Sequence, residues 1–287
     1  MASVINTNLL SLNAQRNTAA TQSSLATSMQ RLSSGLRVNS AKDDAAGLAI
    51  SERLNAQVRG SNVAIRNSND GISLSQTAEG ALSKVNDSLQ RMRELAVQAR
   101  NATNTSADKD SLDKEFGELA KEIQRVLGGT TFNGRAILAT ESGTQTFQVG
   151  ANTTSNDRID VVTTNMTTDG TITAVAGTDN TGAGRAVIDN SAAGADIDTV
   201  IDDIDTAINT VSSERATLGA SQNRLDQVIS NLQISVENQS AAKSRITDAD
   251  FAQETANMSR ANILQQAGNA MIAQANQVPS QVLSLLR

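Results

Sequence analysis

Chemistry in this 287-residue chain is confined to carboxylates, amides and hydroxyls, because it contains no His and no Cys. Without imidazole or thiolate, the usual nucleophilic triads, His/Cys metal sites and imidazole acid–base catalysis are ruled out. Disulfides go with them. Two adjacent carboxylate pairs remain, Asp43-Asp44 and Asp202-Asp203. Neighbouring acids can share a proton, but the first pair stands where a helix should begin and the second on a solvated helical face. Gly128-Gly129 and Gly182–Gly184 lack the Lys and the spacing of a phosphate loop. A net charge of −6, with four Phe and no Trp or Tyr, argues against nucleic-acid binding. No cofactor is expected, and these residues do not point to an enzyme.

The elements that would carry these residues are helices. In Met258–Arg287, the residues Leu264, Gly268, Met271, Ala275, Val278, Val282 and Leu285 recur at alternating four- and three-residue steps, the seam of a coiled coil. Its other faces carry amides such as Gln265, Asn269 and Gln277 instead of charges, which suits a helix surrounded by other helices. A second seam joins Ile5, Leu9 and Leu12 to Leu25, Met29, Leu32 and Leu36, with a phase shift between. Gly35 interrupts it, and Ser40 is a candidate N-cap with Asp43 and Asp44 in the first turn. Helical spacing then runs from Asp43 to Arg100, a rod of about 85 Å if unbroken. Gly60, Gly71 and Gly80 inside it are tolerated, not favoured.

Asp110–Leu127 forms a shorter charged helix ended by Gly128-Gly129. The period then changes. Asn133-Gly134 signals a hairpin turn, and β-prone runs follow at Ala136–Leu138, Thr146–Val149 and Ile159–Val162. Thr163–Ala195, rich in Thr, Gly, Asn and Asp, is expected to be loop or a very small β-rich lobe facing solvent. From Ile197 to Val236 the four-three rhythm returns in sustained form. A break at Ala242–Asp250, where Thr247 could cap, leads to the last helix. The fold class is therefore mainly α: nested N- and C-terminal coiled-coil helices with a small β-hairpin lobe. The expected domains are an inner one of 1–42 plus 243–287, a helical rod with hairpin of 43–162 plus 196–242, and a short outer segment of 163–195.

Charge supports the nesting. Glu141 to Asp205 holds eleven acids against Arg158 and Arg185, whereas Met1–Lys42 and Met258–Arg287 contain no acid. No salt bridge can therefore join those two ends. No run of about eighteen apolar residues exists to span a membrane, and no signal peptide is visible at the start. Helices with so little apolar area are marginal alone, so both ends are expected to order only on assembly.

Several motifs together resemble one family. They are Ile5-Asn6-Thr7-Asn8, Arg31-Leu32-Ser33-Ser34-Gly35-Leu36-Arg37, Ala41–Ile50 (AKDDAAGLAI), Gln90–Gln98 (QRMRELAVQ), Thr131-Phe132-Asn133-Gly134 and Phe147–Asn152 (FQVGAN). The tail adds SRANILQQAG, AQANQVP and VLSLLR. In family order, these resemble the bacterial flagellins over roughly Met1–Val162 and Ile197–Arg287. The segment between is far shorter than the outer domains of large flagellins.

The resemblance implies a subunit exported unfolded by the flagellar type III apparatus and polymerised into the extracellular filament. A hook–filament junction or other flagellar axial protein is the alternative. A head-to-tail contact that does not close on itself gives such a filament. The inner-core assembly residues would be Ile5, Leu9, Leu12, Leu25, Met29, Leu32, Leu36, Leu264, Met271, Val278, Val282 and Leu285. Implied partners are copies of the chain, an export chaperone, the filament cap and junction proteins, and host innate immune receptors, with no nucleic acid and no membrane. Arg91, Glu94, Leu95 and Glu115 match the family's Toll-like-receptor contact, although Leu95 also fits the helical seam. Val282, Leu283, Leu285 and Leu286 match the tail sensed by cytosolic receptors and covered by the chaperone.

Overall fold

The structure, a computed structural model, describes the backbone of residues 7–285 and the side chains of residues 7–277. The roles expected for Ile5 and for the side chains of Val278, Val282, Leu283, Leu285 and Leu286 lie outside the described residues. The described helices are α1 (Leu9–Ser34), α2 (Ala45–Ala99), α3 (Ser106–Gly129), α4 (Gly170–Ala176), α5 (Gly194–Thr247) and α6 (Phe251–Leu285). Strands β1 (Thr131–Phe132) and β2 (Arg135–Ala136) form one antiparallel pair, and β3 (Gly143–Gln148) and β4 (Arg158–Thr163) another. None of the described helices is long and apolar enough to cross a membrane.

The helix ends are set by short polar side chains. Asn8 accepts from the Ser11 amide to start α1, and Gly35, in the left-handed region at φ 72°, ends it by donating to Arg31 O. The cap of α2 is Asp44, not the expected Ser40: Asp44 Oδ1 accepts from Gly47 N at 2.8 Å. Ser40 instead donates its amide and hydroxyl to Asp43, closing the turn before the helix. These bonds, the hydroxyl's first, hold the Asp43 carboxyl below its ordinary range. Thr105 and Asp108 form a reciprocal capping box at α3. The break expected within residues 242–250 occurs, narrowed to residues 248–250 because α5 continues to Thr247. The cap of α6 is Asp250, which accepts from Ala252 N and Gln253 N, while the Thr247 hydroxyl turns back to Lys243 O.

The chain divides into a terminal unit, Met1–Val58 with Glu237–Arg287, and a central unit, Arg59–Val236. In the central unit, α2 buries Leu82, Val85, Leu89, Met92, Ala96 and Ala99 at heptad steps. Phe116, Ile123 and Leu127 of α3 and Ile197, Ile204, Val211, Leu218 and Leu225 of α5 complete that core. Two bidentate pairs, Arg93 with Asp205 and Arg100 with Asp198, mark the antiparallel register of α2 and α5, stepping seven residues in opposite directions.

Between residues 60 and 78 the α2 stripe becomes mostly small, with Ala64, Ser68, Ser75 and Ala78 buried and Leu74 the large exception. The reason is the β3–β4 hairpin. A Cβ on Gly60 would lie 2.8 Å from Ala151 Cβ, and one on Gly71 would lie 3.3 Å from the Phe147 ring. Asn67 Nδ2 donates to Gln148 O at 3.0 Å, fixing the hairpin along the helix. The buried Ser68 and Ser75 hydroxyls bond the carbonyls four residues back, so neither is left unpaired. The smaller hairpin turns as expected at Asn133 (φ 50°) and Gly134 (φ 80°), joining β1 and β2.

Residues 163–195 are largely loop, as one expectation had it, but they are neither a β-rich lobe nor wholly solvent-facing. The segment contains the helix α4 and buries Met166, Ile172, Val175, Ala176 and Ile188 completely. Five buried apolar side chains in so short a segment suffice because α3 supplies the opposite wall.

Candidate assembly faces and surface patches

In the terminal unit α1 and α6 run antiparallel. The positions of α1 that are buried or half-buried step by three and four: Ser11, Ala14, Thr18, Thr21, Leu25, Ser28 and Leu32. On α6 the matching stripe is Glu254, Met258, Ala261, Gln265, Gly268, Ile272 and Ala275. The heptad expected from the spacing is present, but it runs along smaller side chains than the leucines suggested. Gly268 sits against Thr18, where a Cβ would stand 2.6 Å from the hydroxyl oxygen. Asn8 Nδ2 donates to Ala275 O at 2.7 Å and the Ser11 hydroxyl to Asn276 Oδ1 at 2.8 Å.

An ion pair does link α1 and α6, with its acid from outside the acid-free stretches. Glu254, just outside the acid-free stretch, is buried and accepts from the Ser28 hydroxyl at 3.0 Å and from Arg31 at 3.1 Å. Burial by itself would raise its carboxyl; Ser28 and Arg31 outweigh that and hold it below the ordinary glutamate range. Arg31, Glu254 and Arg260 line a groove of about 530 Å³ between the helices.

The loop motif between α1 and α2 has a physical role residue by residue. Leu36 bridges to Asp248, Arg37 N donates to Thr247 O at 2.7 Å, and Ala249 N to Gly35 O at 2.9 Å. The Arg37 guanidinium reaches Ile246 O at 2.7 Å and Arg245 O at 3.2 Å, covering the last carbonyls of α5 with positive charge. Arg31, Gly35 and Arg37 thus lock the two chain ends together through a salt bridge, a left-handed turn and a helix cap.

The leucines expected in the seam have divided. Leu25 and Leu32 are half-buried on the inner stripe of α1, and Leu36 is half-buried in the loop. Leu9, Leu12, Met29, Leu264 and Met271, with Leu10 and Ile263 beside them, are each 52–67% exposed. The correction has a simple cause. Hydrophobic periodicity finds the greasiest side of a helix, and on these two helices that side faces away from the partner within the chain. Apolar exposure on this scale marks an interaction surface.

In the central unit Arg91, Glu94 and Glu115 are exposed and joined. Arg91 Nε donates to Glu115 Oε1 at 2.9 Å, and Nη1 to Glu94 Oε2 at 2.8 Å. Glu115 first, then Glu94, raises the guanidinium's pKa further. Leu95 lies beneath this surface: at 1% exposure it belongs to the core, as the seam expectation for it allows. Beside the ion pairs, Gln90, Arg93, Glu94, the half-exposed Val97 and Gln98 line an open groove of about 500 Å³. Of the candidate acid pairs, Asp43 and Asp44 are used in the turn and cap just described. Asp202 is exposed and Asp203 half-buried on α5.

Known proteins match this arrangement at both ends. Residues 5–146 match the family model of the bacterial flagellin N-terminal helical region, and residues 201–286 that of the C-terminal helical region. A flagellin of Halalkalibacterium halodurans is 48% identical over 99% of this chain and 100% of its own length. A flagellin of Bacillus subtilis is 44% identical over 99% of each. The crystal structure of Bacillus cereus flagellin, 34% identical, covers 58% of this chain and 88% of its own, with a TM-score of 0.48. The chain belongs to the bacterial flagellins, the structural subunits of the flagellar filament.

Proposed function

We propose that subunits meet through the exposed Leu and Met faces of α1 and α6, and that these helices become fully ordered only within the polymer. The observation that carries this is the outward exposure of Leu9, Leu12, Met29, Leu264 and Met271 beside an inner stripe of Ser, Ala and Gly. A narrow small-residue stripe gives two isolated helices little apolar area, and such helices are marginal in water. The same weakness suits export as an unfolded chain through the flagellar type III apparatus, with a chaperone covering the C-terminal leucines until release. The filament cap and the junction proteins are the further axial partners, and the role is structural, not catalytic.

The exposed Arg91, Glu94 and Glu115 are the surface a Toll-like receptor would read on a free subunit, with Leu95 acting only through the packing beneath them. Salt-induced assembly of the purified chain, viewed by electron microscopy, tests the polymer. Long filaments are expected from the native chain and none from a Leu9→Ser/Leu264→Ser variant. Failure of the native chain to elongate alone would point to a junction component.

A further inference from the structure

We propose that residues 164–193 act as a strap that fastens α3 into the central unit, with the Arg185–Asp113 pair as its fixing point. The strap leaves β4 beside α5, where Thr164 N donates to Glu214 Oε1 at 2.9 Å. Met166 N then donates to Leu138 O at 2.9 Å, and the Thr171 hydroxyl meets that of Thr210 at 3.2 Å. From α5 it crosses to α3. Gln124, buried on α3, donates its amide to Gly177 O. Arg185 Nη1 donates to Asp113 Oδ1 at 2.9 Å and Nη2 to Oδ2, forming a bidentate pair. Asp113 Oδ1 also accepts from Ile188 N at 3.0 Å, and Asp110 from Asn190 N at 3.1 Å, before the chain enters α5.

Two glycines are required by the crossing. A Cβ on Gly117 would stand 3.1 Å from Arg185 Nε, so its absence lets the guanidinium lie on the α3 backbone. Gly177, at φ 81°, passes so close to Ala183 O that a Cβ would be 2.4 Å away. Asp110, Asp113, Gly117 and Gln124 fall three, four and seven residues apart and so share one side of α3. Ala120 and Leu127 continue that side into the apolar core, so the strap holds the helix there by polar bonds added to a hydrophobic seam. With Ile172, Val175 and Ile188 buried in the same core, this stretch is part of the fold's wall and not a replaceable surface insertion.

Hydrogen exchange of the full-length monomer, read by mass spectrometry over α3 and over α2, tests this. Arg185→Ala leaves Asp113 buried without its counter-charge and is expected to speed exchange of the α3 amides by about 100-fold, with a smaller change over Leu82–Ala99. Arg185→Lys, which keeps the charge but not the fork, should fall between. A Gly/Ser linker of equal length replacing residues 164–193 should match or exceed Arg185→Ala; should it not fold, the point variants decide alone. Unchanged α3 exchange in Arg185→Ala, or an equal loss over α2 and α3, would overturn the proposal.

Discussion

Gly268 tests how closely the two terminal helices approach. In a free helix Gly→Ala gains about 1 kcal/mol, so by propensity alone Gly268→Ala should stabilise α6. The structure predicts otherwise. The new Cβ would lie 2.6 Å from Thr18 Oγ1, and reaching ordinary contact near 3.4 Å requires a relief of about 0.8 Å. Either Thr18 rotates, giving up its bond to Ala14 O at 2.9 Å, or the helices part. Rotation costs about 1 kcal/mol and cancels the propensity gain. Parting opens the Ser11–Asn276 and Asn8–Ala275 bonds and costs about 1–3 kcal/mol. Gly268→Ala alone should therefore be neutral to about 2 kcal/mol destabilising.

In a Thr18→Ala background the obstacle is gone, and the same substitution should stabilise by about 1 kcal/mol. The quantity to measure is the coupling, about 1–3 kcal/mol, in a double-mutant cycle. The assay is heat disassembly of filaments at fixed subunit concentration, followed by circular dichroism, so that the α1–α6 contact is read in the assembled state. An identical effect of Gly268→Ala in both backgrounds would refute the close approach.

Three further outcomes are expected. Glu254 binds its proton more weakly folded than unfolded, so its stabilisation is present above the ordinary glutamate range and lost as pH falls through the folded pKa. Glu254→Gln should lower filament stability at neutral pH and flatten the acid limb of a pH–stability scan; parallel native and variant curves would count against it. Gly80, where an added Cβ would meet nothing within 4 Å, and Gly60, packed on Ala151, should respond oppositely to alanine. Monomer melting should rise by about 1 kcal/mol for Gly80→Ala and fall by about 1–3 kcal/mol for Gly60→Ala. Phe116→Ala should cost the central unit about 3–5 kcal/mol in the same melt, since the ring is completely buried.

What is legible in the sequence follows the reach of each signal. The heptads of α2 and α5 announce themselves because their stripes are apolar and continuous, and Asn133-Gly134 because a two-residue turn has few other solutions. Gly60 and Gly71 look like mere tolerance, since their reason is a hairpin some eighty residues away docking on the helix. Residues 163–195 look like loop because α4, at seven residues, is too short to show a period, and its apolar residues are scattered among Thr, Gly and Asp. Arg185 gives no local sign of its role; only the fold places it on Asp113.

The terminal helices fail differently, and the failure is informative. A sequence pattern assumes that a helix has one apolar face and that the chain itself covers it. In α1 and α6 the chain covers a stripe of Ser, Ala, Thr and Gly, while Leu9, Leu12, Met29, Leu264 and Met271 remain outside. Each such side chain is worth about 1.5–3 kcal/mol when fully buried. Already partly covered, the five still withhold about 4–9 kcal/mol from the isolated subunit, comparable to the whole stability of a modest domain. That free energy becomes available only when another subunit arrives. If subunits meet through these faces as proposed, a helix pair built this way is weak in the free subunit and firm in the filament, and the mismatch between the greasiest stripe and the packed stripe is what that reading requires of a polymer subunit.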